Sequence, residues 1–137
     1  MITAQVTDQV INLEELHRLV RSGAAGAVVI FSGDVRNHDG GKVVTSLTYE
    51  IHPSAGSVIQ EITERIAAKH EILDVAVVHR YGAIPIGESA FTVVVSSKHR
   101  GPAFAACQEL VDVVKEELPI WKYQVFADGT DEWVNSA

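Results

Sequence analysis

A single domain that mixes helices and strands is what this sequence predicts, on three observations. The chain has 137 residues, which suits one domain spanning 1–137. Hydrophobic residues make up 47% of it, enough to bury a sizeable core. Helical and strand periods both occur, which fits neither a disordered chain nor a coiled coil.

The elements follow in order. Residues 2–7 alternate weakly and read as an edge strand. Asn12 is a good N-cap, Glu14 and Glu15 suit a first turn, and Leu13, Leu16, Leu19 and Val20 give that helix an apolar stripe that ends at Gly23. The β-branched run Gly26-Ala27-Val28-Val29-Ile30-Phe31 predicts a buried strand, and residues 32–41 a loop by composition. Residues 43–51 alternate as a half-buried strand with Val43, Thr45, Leu47, Tyr49 and Ile51 on one face. His52-Pro53 stops it, Ser54 is placed to cap the next helix, and Val58, Ile59, Ile62 and Ile66 keep helical spacing. Residues 74–82 and 90–95 read as two more strands. Phe104, Cys107, Val111, Val114 and Leu118 form the stripe of a last helix over 102–118, so Cys107 reads as a small core residue. Residues 120–126 alternate again, with Ile120, Lys122 and Gln124 on one face and Trp121, Tyr123 and Val125 on the other, before a short tail that docks through Trp133.

Composition excludes several roles. The net charge of −7 argues against general nucleic-acid binding, which needs a basic footprint. No apolar run reaches the roughly 18 residues that would span a membrane, and the first residues show neither a charged region nor an apolar core of a signal peptide. One cysteine cannot staple a fold, which suits a reducing cytoplasm, and the spacings typical of metal sites are absent.

With only eleven Lys and Arg, their placement is informative, because an acidic protein must hold an anionic ligand with a local cationic cluster. Arg36 and His38 lie on a loop leaving a buried strand, where a scaffold commonly presents ligand groups. Lys98-His99-Arg100 lies where a strand ends and a helix begins, and a helix N-terminus carries free N–H groups and partial positive charge. Lys115 falls roughly 60° from the centre of the last helical stripe, at the margin of the buried face, where an amine is partly desolvated. Lys122 follows just past the Pro119 turn. Arg36, His99, Arg100, Lys115 and Lys122 therefore read as parts of one anion-binding site. His79, alone on a strand, reads more naturally as a structural hydrogen-bonder.

Taken together these residues resemble the large, catalytic subunit of molybdopterin synthase, the MoaE family. The resemblance runs over residues 26–133. It is carried by Gly26-Ala27-Val28-Val29, Gly33-Asp34-Val35-Arg36-Asn37-His38, His79-Arg80-Tyr81-Gly82, His99-Arg100, Lys115, Pro119-Ile120-Trp121-Lys122 and Asp131-Glu132-Trp133-Val134. It implies an α+β fold of the alpha/beta-hammerhead type, with a mixed, largely antiparallel sheet and three helices. It also implies a homodimer that binds a small ubiquitin-like sulfur-carrier subunit (MoaD-like) on each chain, giving a heterotetramer. The carrier's C-terminal Gly-Gly thiocarboxylate would enter a pocket and convert cyclic pyranopterin monophosphate into molybdopterin by adding two sulfurs. Substrate contacts carry over to Asp34, Val35, Arg36, His99, Arg100, Lys115, Lys122, Tyr123 and Gln124, with Lys115 and Lys122 as the catalytic pair and no metal or other cofactor. Three features depart from relatives: Asp34 stands where a basic residue is common, Tyr123-Gln124 replaces a basic residue followed by Glu, and the chain ends soon after Trp133.

The residue types suit that chemistry. Guanidinium groups such as Arg36 and Arg100 pair well with phosphate. A lysine beside other cations has a reason for a lowered pKa and so can move protons, which would place Lys115 at the thiocarboxylate and Lys122 beside developing negative charge. His99 is the histidine suited to acid–base work or phosphate contact. Two alternatives use the same cations: a cyclic-phosphate hydrolase that needs no carrier, and a non-catalytic module that only docks a ubiquitin-like tail.

Overall fold

A computed structural model describes residues 1–137. Its elements in chain order are β1 (Ile2–Thr7), α1 (Leu13–Val20), β2 (Ala27–Asp34), β3 (His38–Asp39), β4 (Lys42–Ile51), α2 (Ala55–Ala67), β5 (Asp74–Arg80), β6 (Gly82–Ala83), β7 (Ser89–Ser97), α3 (Arg100–Glu117), β8 (Ile120–Phe126) and β9 (Asp131–Val134). The first sheet has the order β1-β5-β7-β2, with β1 parallel to β5 and the other pairings antiparallel. The second runs β3-β4-β8-β9, with β6 beside β4. This is the α+β arrangement with three helices and largely antiparallel sheets.

The first sheet is covered on both faces, which is why β5 and β7 read as almost unbroken apolar runs. Val75, Val77, Val93 and Val95 turn toward α2 and α3, where Ile59, Ile62, Ile66, Leu110 and Val114 complete the main core. Ala76, Val78 and Val94 turn the other way and meet Leu16 and Val20 of α1. Leu47, Tyr49 and Ile120 of the second sheet join the main core, so both sheets rest on one hydrophobic interior. Gly26 enters β2 against the end of β7: its N–H donates to the Ser97 carbonyl at 3.1 Å, and a Cβ there would strike the Lys98 carbonyl oxygen.

Several local expectations shift for physical reasons. On α3 the buried face is Ala103, Ala106, Cys107, Leu110 and Val114, while Phe104 is 61% exposed. Small alanines let the helix lie close to the sheet, so its inner stripe is rotated away from the largest side chain. In β4 an irregularity between Val44 and Ser46 changes the phase, so Val44 is buried together with Leu47 and Tyr49 while Val43 is exposed. The stretch expected as loop between 32 and 41 is partly paired. β2 continues to Asp34, and β3 forms a hairpin with β4 through Gly40 and Gly41, whose φ values of 56° and 78° favour glycine. Asn12 caps α1 as expected, accepting from the Glu15 N–H at 3.2 Å, but the helix ends at Val20, short of Gly23, and Leu13 and Leu19 stay exposed. Ser54 makes no side-chain cap, because its hydroxyl bonds the His52 ring at 2.8 Å. Trp133 stays largely exposed and lies on the Tyr123 ring, with ring centres 4.7 Å apart.

Candidate active site

One cleft of about 230 Å³ opens between the two sheets at the C-terminal end of α3. Its first wall is the inner face of β4 and β8. The register pairs Tyr49 with Lys122 and Leu47 with Gln124, so these four side chains share a face. Its second wall is the end of β2 and the residues after it, Gly33, Asp34, Val35 and Arg36, backed by Ala90 and Phe91 of β7. The Val35 segment is pinned by the turn before β7: the Val35 N–H donates to the Glu88 carbonyl at 3.0 Å, and the Gly87 N–H donates to the Val35 carbonyl at 2.7 Å. That turn is itself held by Arg80, a buried guanidinium 2.8 Å from the Glu88 carboxylate.

Lys115 reaches the cleft from the last turn of α3, and Lys122 from β8. Lys115 is open to solvent on one side, yet the protein around its amine, and then the charge of Lys122, hold its pKa below the ordinary lysine value. Its Nζ donates to the backbone oxygen of Ala137, 3.3 Å away, and Ala137 also lines the cleft. Arg36 Nη2 lies 3.5 Å from Asp39 Oδ1. Gln124 Nε2 donates to Asp39 Oδ2 at 2.8 Å and to Glu132 Oε1 at 3.0 Å. That bond from Gln124 does most to draw the Asp39 pKa down; burial opposes it, and the charges of Lys122 and Arg36 and a backbone bond from Gly40 add to the lowering. Asp34 accepts from the Ser32 hydroxyl at 2.6 Å. Burial pushes the Tyr49 phenol up to about 12, so it remains a proton-bearing group.

Behind the cleft wall lies His79, completely buried. Its ring stacks on Phe91 at 5.3 Å and meets Tyr49 edge-on at 4.9 Å. Nδ1 lies 2.8 Å from the Arg80 carbonyl, which can only accept, so the proton sits on Nδ1, and Nε2 is left without a partner. Burial, helped by the charge of Lys115, takes the His79 pKa down to about 4 against the Arg80 bond, so the ring is neutral near pH 7.

A cationic cleft with two lysines at a helix–strand turn is now joined by a family match: a model described as MoaE protein covers residues 6–117. The chain belongs to the MoaE family. The molybdopterin synthase catalytic subunit of Thermoplasma volcanium is 38% identical over 130 residues, covering 94% of this chain and 95% of that protein. The protein of the same name from Aspergillus niger is 43% identical over 115 residues, covering 83% of this chain and 64% of that one. Among solved structures, molybdopterin synthase from Staphylococcus aureus superposes with a TM-score of 0.88 at 30% identity, covering 96% of both chains. A complex of subunits 1 and 2 of molybdopterin-converting factor from Helicobacter pylori shares the fold at a TM-score of 0.73 and 19% identity.

In this MoaE-family chain the cleft gathers Asp34, Val35, Arg36, Lys115, Lys122 and Gln124. It does not gather the other three residues expected there. His99 and Arg100 stand at the opposite end of α3, and His99 lines a separate depression with Glu71 and Pro102. The helical rise between Arg100 and Lys115 is roughly 22 Å, so a straight helix keeps them apart within one chain. Tyr123 alternates to the outer face of β8, where its hydroxyl donates to Asp131 at 2.7 Å. Cys107 is buried, as its place in the helical stripe suggests, and burial raises its thiol to about 11. Asp39, Tyr49 and Phe91 also line the cleft, beyond the residues singled out in the sequence. Only Tyr49 carried a signal, since it shares a strand face with Leu47. Asp39 was hidden in a loop-like composition, and Phe91 in a buried strand.

Proposed function

We infer that this chain is the catalytic subunit of a molybdopterin synthase, acting in molybdenum cofactor biosynthesis on cyclic pyranopterin monophosphate. The observation that carries the reading is the meeting of Lys115 and Lys122 in one cleft, with the pKa of Lys115 lowered by its surroundings and by its neighbour. Arg36 supplies the guanidinium for the phosphate. A thiocarboxylate sulfur from the carrier attacks a substrate carbon, forming a C–S bond as a C–O bond of that carbon breaks; the oxygen leaves with the phosphate, opening the cyclic ester, in one round and as water in the other. Water then cleaves the acyl–sulfur bond, which leaves sulfur on the substrate and a carboxylate on the carrier, and a second round completes the dithiolene. Lys115 moves protons at the attacking sulfur and the carbon, and Lys122 stabilises the developing negative charge.

The partner is a small ubiquitin-like sulfur-carrier subunit whose C-terminal Gly-Gly tail enters the cleft, and the active assembly is a homodimer carrying two such subunits, in the cytoplasm. A part for His99 and Arg100 in substrate binding requires a second copy of the chain, because α3 holds them away from their own Lys115. Lys115→Ala, assayed for molybdopterin formation with thiocarboxylated carrier, should lose turnover by at least about 100-fold while staying folded. Near-normal turnover in a folded dimer would remove Lys115 from the mechanism and leave a docking module.

A further inference from the structure

The cleft that gathers three cations also contains a carboxylate that works against anion binding. Asp39 lies beside Arg36 and is close enough to Lys122 to respond to its charge. A site built only for a phosphate would bind it better without that negative charge. The carboxylate is nevertheless held in a set orientation. Gln124, 3% exposed, donates from one amide nitrogen to both Asp39 and Glu132, and two acceptor-only carboxylates dictate which end of the amide faces them. The two oxygens of Asp39 are unequal. Oδ2 has the 2.8 Å bond from Gln124, whereas Oδ1 faces Arg36 at 3.5 Å, and the Arg36 side chain is 68% exposed. An Arg36 that turns to a phosphate leaves Oδ1 free to accept.

We propose that Asp39 is a specificity-determining residue, accepting hydrogen bonds from the N–H edge of the substrate's pterin ring while Arg36 and the lysines take its phosphate. A pterin presents an exocyclic amino group and a ring N–H side by side on one edge, which is the donor pattern a carboxylate accepts with both strength and orientation. The proposal rests on the functional reading above, since it takes the ligand to be a pterin.

The test titrates wild type, Asp39→Asn and Asp39→Glu separately with unphosphorylated pterin (2-amino-4-oxopteridine) and with orthophosphate, with thermal unfolding as the check on folding. Asp39→Asn should bind pterin at least about tenfold more weakly and orthophosphate more tightly, because it loses an ionised acceptor and a repelling charge together. Asp39→Glu, which keeps the carboxylate, should retain pterin binding better than Asn does and serves if the Asn variant is unstable. Pterin affinity unchanged in folded Asp39→Asn, or no pterin binding by wild type, overturns the assignment. The two readings separate in the full assay. Wild type that makes no product with thiocarboxylated carrier sinks the functional reading; normal product with an Asp39→Asn KM equal to wild type sinks only the role of Asp39.

Discussion

Tyr49 and Lys122 are directly paired across β4 and β8, so a phenol that keeps its proton and an amine share one cleft wall. Lys115 approaches them from the end of α3, and the charge of Lys122 helps to lower its pKa. The geometry around this pair makes the following outcomes measurable.

Removing the Lys122 charge should raise the pKa of Lys115. The sign follows from like-charge repulsion, which favours the neutral amine and disappears with the neighbour. NMR titration of the Lys115 Cε resonance in wild type and Lys122→Met measures it directly, and an unmoved or lowered pKa contradicts the coupling.

Mixed dimers test whether sites are completed across two copies. Lys115→Ala and Arg100→Ala should each be nearly inactive alone. Mixed at random, half of the dimers pair the two variants and each holds one intact site, so about a quarter of wild-type activity should return. No recovery in proven mixed dimers would place Arg100 outside the partner's cleft.

His79 should make stability fall with acid. Its pKa is about 4 in the folded protein against an ordinary value of 6.5, so the unfolded chain takes up the proton first. The stabilisation is complete above pH 6.5 and is lost progressively as pH falls toward 4, by about 3 kcal/mol in all. His79→Phe, which keeps an aromatic ring between Tyr49 and Phe91, should flatten that part of the profile in urea unfolding measured at pH 7 and pH 4.5. An equal slope in both proteins would assign the acid sensitivity elsewhere.

Glu88→Ala should destabilise the fold by about 3 kcal/mol, because it strands the buried Arg80 guanidinium, whose Nε already lacks a partner. It should also raise the KM for substrate, since the same turn holds Val35 next to Arg36. Arg80→Met, which removes the buried charge itself, should cost less stability. Denaturant unfolding of the two variants gives the order, and a reversed order contradicts the account.

Much of the element pattern could be read from side-chain periods. The β-branched runs of β2, β5 and β7 mark strands buried on both faces, and Ile59, Ile62 and Ile66 mark the inner side of α2. The inner face of α3 could not be read the same way. Hydrophobicity favours Phe104, but close approach to the sheet favours Ala103 and Ala106, and nothing in a helical period records how near the neighbouring element will come. The phase change in β4 was equally hidden, because a strand irregularity depends on its partner as much as on itself.

The same division holds for the site. Residue type and local period alone place Lys115 at the edge of a helical stripe and put Lys122 and Gln124 on the same face of their strand, because both depend on spacing within one element. Which cations meet depends on packing between elements. The β4–β8 register sets Tyr49 beside Lys122, and the Arg80–Glu88 turn sets Val35 and Arg36 across from them. The length of α3 carries His99 and Arg100 away, since a hydrogen-bonded helix is too stiff to bring its two ends to one cleft.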